Sequence, residues 1–131
     1  MDQAKIRNLA AQYTEAWCSQ NPMAVASFYE ENGSLTINDG DPAVGREALA
    51  EVAQDFMNAF PDLKVHFDDL VFVNNDIRYH WTLTGTNTGA GGSGRRVRIS
   101  GYELWEIGPN GLIANSKGHF DNDDYQRQIG S

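Results

Sequence analysis

A chain of 131 residues suits one domain built on one core and leaves no room for a second catalytic domain. Its hydrophobic content of 40%, with 11% aromatic residues, is that of a globular protein, and no apolar run approaches the roughly 20 residues of a membrane span. The formal charge of −8 argues against a nucleic-acid partner, because phosphate binding needs a basic stripe and the one local cluster, Arg95, Arg96 and Arg98, reads as a solvated strand end. The same balance disfavours highly anionic substrates and leaves a neutral organic ligand as the easier guest.

The opening MDQAKIRNLAAQY is polar and helix-periodic, unlike a secretory leader, so a cytoplasmic location is the expectation. From Asp2 to about Gln20, Ile6, Leu9, Ala10, Tyr13, Ala16 and Trp17 recur at three and four, which predicts an amphipathic helix with Tyr13 and Trp17 one turn apart. The single cysteine, Cys18, has no partner for a disulfide or a metal site and is expected to be a small packed residue; no metal or cofactor is implied. Asn21-Pro22 is an N-cap followed by a first-turn proline, predicting a short helix to about Tyr29 that Glu30-Glu31-Asn32-Gly33 closes. Ser34 to Asp39 alternates as a strand, with Leu35, Ile37 and Asp39 on one face. A third helix follows from about Arg46 to Phe60, with Leu49, Val52, Phe56 and Phe60 on one stripe and Pro61 as its stop.

Beyond it the period changes to two. Strands are expected at Lys64 to Val73, Ile77 to about Thr88, Arg95 to Ile107 and Leu112 to about Phe120, separated by turns at Asn74-Asn75-Asp76, Gly89 to Gly94 and Gly108 to Gly111. This predicts an antiparallel meander, and with the helices it makes an α+β fold, N-terminal helices packed on a curved antiparallel sheet. The glycine-rich loop lacks the lysine and following helix of a phosphate cradle and reads as a hairpin connection.

Alternation places Val97, Ile99, Glu103, Trp105 and Ile107 together, so Glu103 is a carboxylate on an apolar face. Such a group has to be paired, protonated or open to a wet pocket, which makes it the first functional candidate, although a strand-end glutamate reaching solvent fits the same pattern. In the preceding strand Tyr79, Trp81 and Leu83 share one face, against Arg78, His80, Thr82 and Thr84. With Tyr13, Trp17, Phe56, Phe60 and Trp105 the aromatic side forms either a ligand-pocket wall or a filled core.

The strings Phe60-Pro61-Asp62-Leu63, Trp81 to Gly89, Gly94-Arg95-Arg96-Val97, Gly45-Arg46-Glu47, and Asp121 with Gln128 seven residues later occur in an order that resembles the SnoaL-like polyketide cyclases. These belong to the nuclear-transport-factor-2-like superfamily, which also holds ketosteroid isomerases, limonene epoxide hydrolases and non-catalytic binding or assembly modules. The resemblance covers nearly the whole chain and implies one SnoaL-like domain over 1–131, a cone-shaped fold around a deep apolar pocket, a small hydrophobic ligand, and commonly a homodimer.

The family offers two arrangements for a cofactor-free acid/base enzyme, an isomerase or an aldol-type cyclase. By similarity to ketosteroid isomerases, Tyr13 and a protonated Glu103 donate to a developing enolate while Asp39 moves the proton; Asp39 as a plain turn cap is the competing reading. By similarity to the cyclases, Asp121 is the acid/base. There the chain departs from the pattern, with Asn87 where many cyclases have histidine and Lys117 near an expected tryptophan. In the last strand either Ser116, Gly118 and Phe120 face the pocket or Lys117, His119 and Asp121 do, and only the second choice makes His119 and Asp121 an acid/base pair; the first leaves His119 on the surface or a dimer face. Phe120 joins the ligand-binding set. The Asp-Arg-Asp set of an epoxide hydrolase is poorly matched, because Arg78 has polar-face parity.

Overall fold

A computed structural model describes residues 2–74 and 76–130, so Met1, Ser131 and the middle of the expected Asn74-Asn75-Asp76 turn lie outside the described residues. Helix α1 (Gln3–Cys18) starts where the Asp2 carboxylate accepts the Ala4 N–H at 2.9 Å, and it buries Ile6, Ala10, Tyr13 and Trp17 along one face. Helix α2 (Pro22–Ala26) is capped by Asn21, whose Oδ1 accepts from the Met23 and Ala24 N–H groups. It ends before Tyr29, and Tyr29–Ile37 is strand β1. The polar run Glu30 to Gly33 is therefore in a strand and is no helix terminus. Its pairing is long-range: Tyr29 lies opposite Ile113 and Ser34 opposite Asn115, with a register irregularity between them that local patterning does not show.

The two-residue strand β2 (Ala43–Val44) pairs antiparallel with β1 and precedes helix α3 (Arg46–Ala59). The buried stripe of α3 is Leu49, Ala50, Ala53 and Met57, with Val52 and Phe56 at its flanks, so the expected stripe is rotated toward the small residues that allow close packing. Strands β3 (Lys64–Val73), β4 (Asp76–Thr86), β5 (Arg96–Ile107) and β6 (Ile113–Phe120) form the expected antiparallel meander. The sheet order is β2-β1-β6-β5-β4-β3, with β1 added parallel to β6. The fold class is thus α+β, with the N-terminal helices against a curved, mostly antiparallel sheet. Among the described residues no helix is long and apolar enough to cross a membrane.

Two further features differ from the sequence expectation. Residues Asn122–Ile129 form helix α4, and the Gln128 amide docks it on β5 by accepting the Arg98 N–H at 2.7 Å and donating to the Arg98 carbonyl at 2.8 Å. This occurs on the part of β5 that β6 does not reach, since β6 ends at Phe120 opposite Gly101. Cys18 is exposed at the end of α1, and its thiol meets both the N–H and the carbonyl of Val65 at 3.3 Å; the residue expected to pack instead bridges the helix end to strand β3.

Candidate active site

Strand parity sends Glu103 inward with Ile99 and Trp105, and pairing places it opposite Tyr79 on β4 and Gly118 on β6. Only 8% of the residue is exposed. Its Oε1 accepts three hydrogen bonds, from Ser116 Oγ at 2.7 Å, Trp105 Nε1 at 2.9 Å and the Tyr13 hydroxyl at 3.2 Å. Oε2 accepts one longer hydrogen bond, from Tyr13 at 3.4 Å, with the Tyr29 hydroxyl also acting on the carboxylate, so it keeps spare capacity to accept or carry a proton. Burial pushes the Glu103 carboxyl above its ordinary value, while its donors, Trp105 and Ser116 first, pull it back.

Behind the carboxylate, the Tyr13 hydroxyl lies 2.9 Å from that of Tyr29. Burial, reinforced by the negative charge of Glu103, pushes both phenols well above the usual tyrosine range, so they are held as donors. Tyr79 is also pushed up by burial, and its hydroxyl is satisfied by Thr14. The rings pack tightly: Tyr79 stacks on Trp105 with centroids 4.8 Å apart, and Tyr13 presents its edge to Trp105 at 5.5 Å.

In front of Glu103 is a cavity of about 60 Å³, several times the ~10–15 Å³ that one water needs. Trp17, Phe56, Tyr79, Trp81 and Phe120 supply aromatic walls; Leu35, Ile37, Val65, Leu83, Ile99 and Gly118 complete the lining, and Glu103 is its single ionisable carboxylate. Of the aromatic residues expected to form a pocket wall, Tyr13, Phe60 and Trp105 do not reach the cavity. All three are fully buried outside its lining. The choice between the two faces of β6 is settled by its pairing: Ser116 and Gly118 turn inward beside Trp105 and Glu103.

That choice places His119 on the opposite face, where its ring lies 5.1 Å from Tyr102, which in turn lies 5.7 Å from His80 and has the Arg78 guanidinium 5.8 Å above it. Asp39 is exposed in the turn after β1 and lines an open rim groove with Ile37, Asn38, Gly40, His119, Phe120 and Asn122. Asp121 is exposed and is the N-cap of α4, its Oδ1 accepting the Asp124 N–H at 3.1 Å. The structure therefore brings Tyr13 and Glu103 together and leaves Asp39, His119 and Asp121 outside the cavity. Among the described residues no cluster of three or more His, Cys, Asp or Glu is arranged to hold a metal ion.

Tyr29 is the site residue that pattern reading missed. Starting the strand at Tyr29 would have placed it on the odd-numbered face with Leu35 and Ile37, yet the register irregularity hides that relation. The strings that carried the family resemblance serve mainly as joints. Asp62 receives both the N–H and the hydroxyl of Thr86, at 2.7 and 2.8 Å, and Arg46 donates twice to the Tyr29 carbonyl. A Cβ on Gly85 would lie 2.9 Å from Phe60 Cβ, so glycine permits that close approach. Asn87 holds the glycine-rich loop by accepting the Ser93 N–H at 3.0 Å, and the Asp121 to Gln128 spacing is a helix cap followed by a docking amide.

No curated protein matches the sequence. Solved structures match in fold at low identity. TsrD from Streptomyces laurentii is 20% identical with a TM-score of 0.83, covering 99% of this chain and 98% of its own. The phenazine biosynthesis-related protein PhzB2 of Pseudomonas aeruginosa is 18% identical with a TM-score of 0.80, covering 96% of this chain and 85% of its own. A Catenulispora acidiphila protein with a ketosteroid isomerase-like fold, in complex with trimethylamine, is 14% identical with a TM-score of 0.81, covering 93% and 92%. The family model of SnoaL-like polyketide cyclase matches residues 7–129, and the chain belongs to that family.

Proposed function

We propose that the protein binds a small hydrophobic or aromatic molecule in the cavity and that Glu103 moves a proton on it without a cofactor, as an isomerase or aldol-type cyclase does. The observation that carries this reading is the asymmetry of the carboxylate. Oε1 is fixed by Ser116, Trp105 and Tyr13, and Oε2, with one long contact, is left to exchange a proton beside an apolar cavity. A cavity of about 60 Å³ suits a small ring or branched chain, whereas a multi-ring polyketide needs the wall to open at Phe56 or Phe120. The trimethylamine held by the Catenulispora acidiphila relative is a ligand in this small size class.

The test is deuterium uptake from D₂O into a panel of small carbon acids, followed by NMR. Wild type is expected to catalyse uptake for at least one of them, and Glu103→Gln, which keeps the acceptor at Oε1 and loses the proton carrier, to reduce it at least a hundredfold. The second reading is a non-catalytic binding or assembly module. It is favoured by the placement of Asp39, His119 and Asp121 outside the cavity, which leaves one acid where a two-acid mechanism needs two. Uptake equal in wild type and Glu103→Gln, with ligand still bound, assigns that reading. We infer further a homodimer through the outer sheet face around Tyr102 and His119, with no nucleic-acid or membrane partner and a cytoplasmic location.

A further inference from the structure

Trp81 carries a polar group that the Glu103 network leaves unused. Its indole Nε1–H is buried and has no hydrogen-bond partner, alone in this among the side-chain nitrogens and oxygens of the described residues. Native proteins keep few such donors, because a dry N–H has given up water for nothing. Its ring neighbour Phe120, with centroids 6.1 Å apart and planes at 67°, offers no lone pair.

Gly101 fixes where this N–H lies. It stands opposite Trp81 across the β4–β5 pair, and a Cβ there would lie 2.2 Å from the His119 carbonyl oxygen, 2.7 Å from Trp81 Cζ2 and 3.1 Å from Phe120 Cβ. The His119 carbonyl, the indole edge next to Nε1 and the root of the Phe120 side chain thus fill the space that a larger residue would occupy, and the indole N–H makes no hydrogen bond to any of them. Phe120 in turn lines both the apolar cavity and the open rim groove. The unpaired donor therefore lies on the edge of Trp81 that neighbours Phe120, a residue the two share. Glu103 lies two residues further along β5 on the same face, so Trp81 and Glu103 are diagonal cross-strand neighbours, about 7 Å apart at the backbone.

We propose that Trp81 Nε1–H receives the carbonyl oxygen of the ligand when Phe120 turns toward the rim groove, so that the cavity selects small carbonyl compounds. This rests on the reading that the cavity takes a ligand and Glu103 handles its proton. With the oxygen on Trp81, the neighbouring carbon faces Glu103. The proton passes from that carbon to Oε2, the C–H bonding pair becomes the carbon–carbon double bond, and the carbonyl π pair moves to the oxygen, where the indole N–H stabilises the new charge. Return of the proton from Oε2 to the same or another carbon completes the cycle.

The test compares cyclohexanone with methylenecyclohexane, which share a shape but differ in the acceptor oxygen, by ¹⁵N-correlated NMR of the full chain. Trp81 is one of three indole signals and is assigned by its absence in Trp81→Phe. Cyclohexanone is expected to move the Trp81 N–H signal downfield and methylenecyclohexane to leave it near its free position. The ratio of ketone to alkene affinity is expected to be about fivefold higher in wild type than in Trp81→Phe, the effect of one net hydrogen bond. If both probes occupy the cavity while the Trp81 signal stays put and the ratio is unchanged, the Trp81 role is overturned and the Glu103 reading stands. Binding of neither probe overturns both. Should Trp81→Phe fail to fold, the wild-type signal, assigned by through-space contacts to Phe120, decides alone.

Discussion

Glu103 and the rim acids Asp39 and Asp121 are the same functional group in opposite surroundings. Glu103 sits among Tyr13, Trp105 and Ser116 with one oxygen saturated by donors, and burial raises its proton affinity. Asp39 and Asp121 stand in water at the ends of β1 and β6, and Asp121 already spends an oxygen on the first turn of α4. Chain position alone makes all three plausible acid/base groups for this family. What separates them is enclosure: a carboxylate becomes distinctive where water has been replaced by a few fixed donors and apolar walls.

The hardest way to break this contrast is to delete the enclosed group. Glu103→Ala leaves the Tyr13 and Ser116 hydroxyls and the Trp105 N–H without their acceptor and opens a void beside the existing cavity. A loss of about 3 to 5 kcal/mol of unfolding free energy is expected, read from urea denaturation. Glu103→Gln keeps an oxygen for those donors and should stay within about 1 kcal/mol of wild type. A Glu103→Ala loss below 1 kcal/mol would mean that the donors find other partners and that the network does not define the site.

A gentler probe is pH. Because burial raises the folded pKa of Glu103, the folded chain holds this proton over a range in which the unfolded chain has released it. The group's contribution is therefore fully present below the unfolded value of about 4.3 and is lost as pH rises from there through the raised folded value. Glu103→Gln has no such proton to lose. Its stability relative to wild type should improve steadily across that window, as measured by urea midpoints of both chains from pH 4 to pH 8. A constant difference between them would place the Glu103 pKa at its ordinary value and remove the contrast with the rim.

How these two regions were visible in the sequence differs as sharply as their chemistry. Glu103 was legible because β5 is long and regular, so period two carries Val97, Ile99, Glu103 and Trp105 to one face without interruption. Tyr13 was legible from helical spacing in the same way. Asp39 was misplaced because parity has meaning only inside a strand, and β1 ends at Ile37, where Asn38 takes a positive φ of 50°. The face of β6 was open in both directions until its register against β5 decided it: the turn announces the hairpin, but the irregularity between Glu106 and Ile107 that sets the register has no local signature. Tyr29 was hidden by an irregular register, and α4 by its composition. With Asp123 and Asp124 in its first turn and only Tyr125 and Ile129 to bury, it has too little periodicity to announce a helix, and docking through Gln128 holds it.

The smallest expected effect is the one that tests whether the two regions are independent. Asp121→Ala removes the N-cap of α4, and a lost cap costs about 1 kcal/mol. That cost should appear as local fraying, because α4 has its own attachments: the Gln128 amide on Arg98 and the Tyr125 ring against Phe60 and Phe120. Hydrogen exchange at the amides of residues 125–130 should therefore quicken about fivefold, while exchange in β4 and β5 stays as in wild type. Under the same conditions the Glu103 titration should not move, since no contact joins the Asp121 carboxylate to the Glu103 network and a charge in water is screened over about 10 Å at 0.1 M salt. A shifted Glu103 titration in Asp121→Ala would show that α4 controls how wet the cavity is, acting through Tyr125 on Phe120, and the rim would then be part of the site.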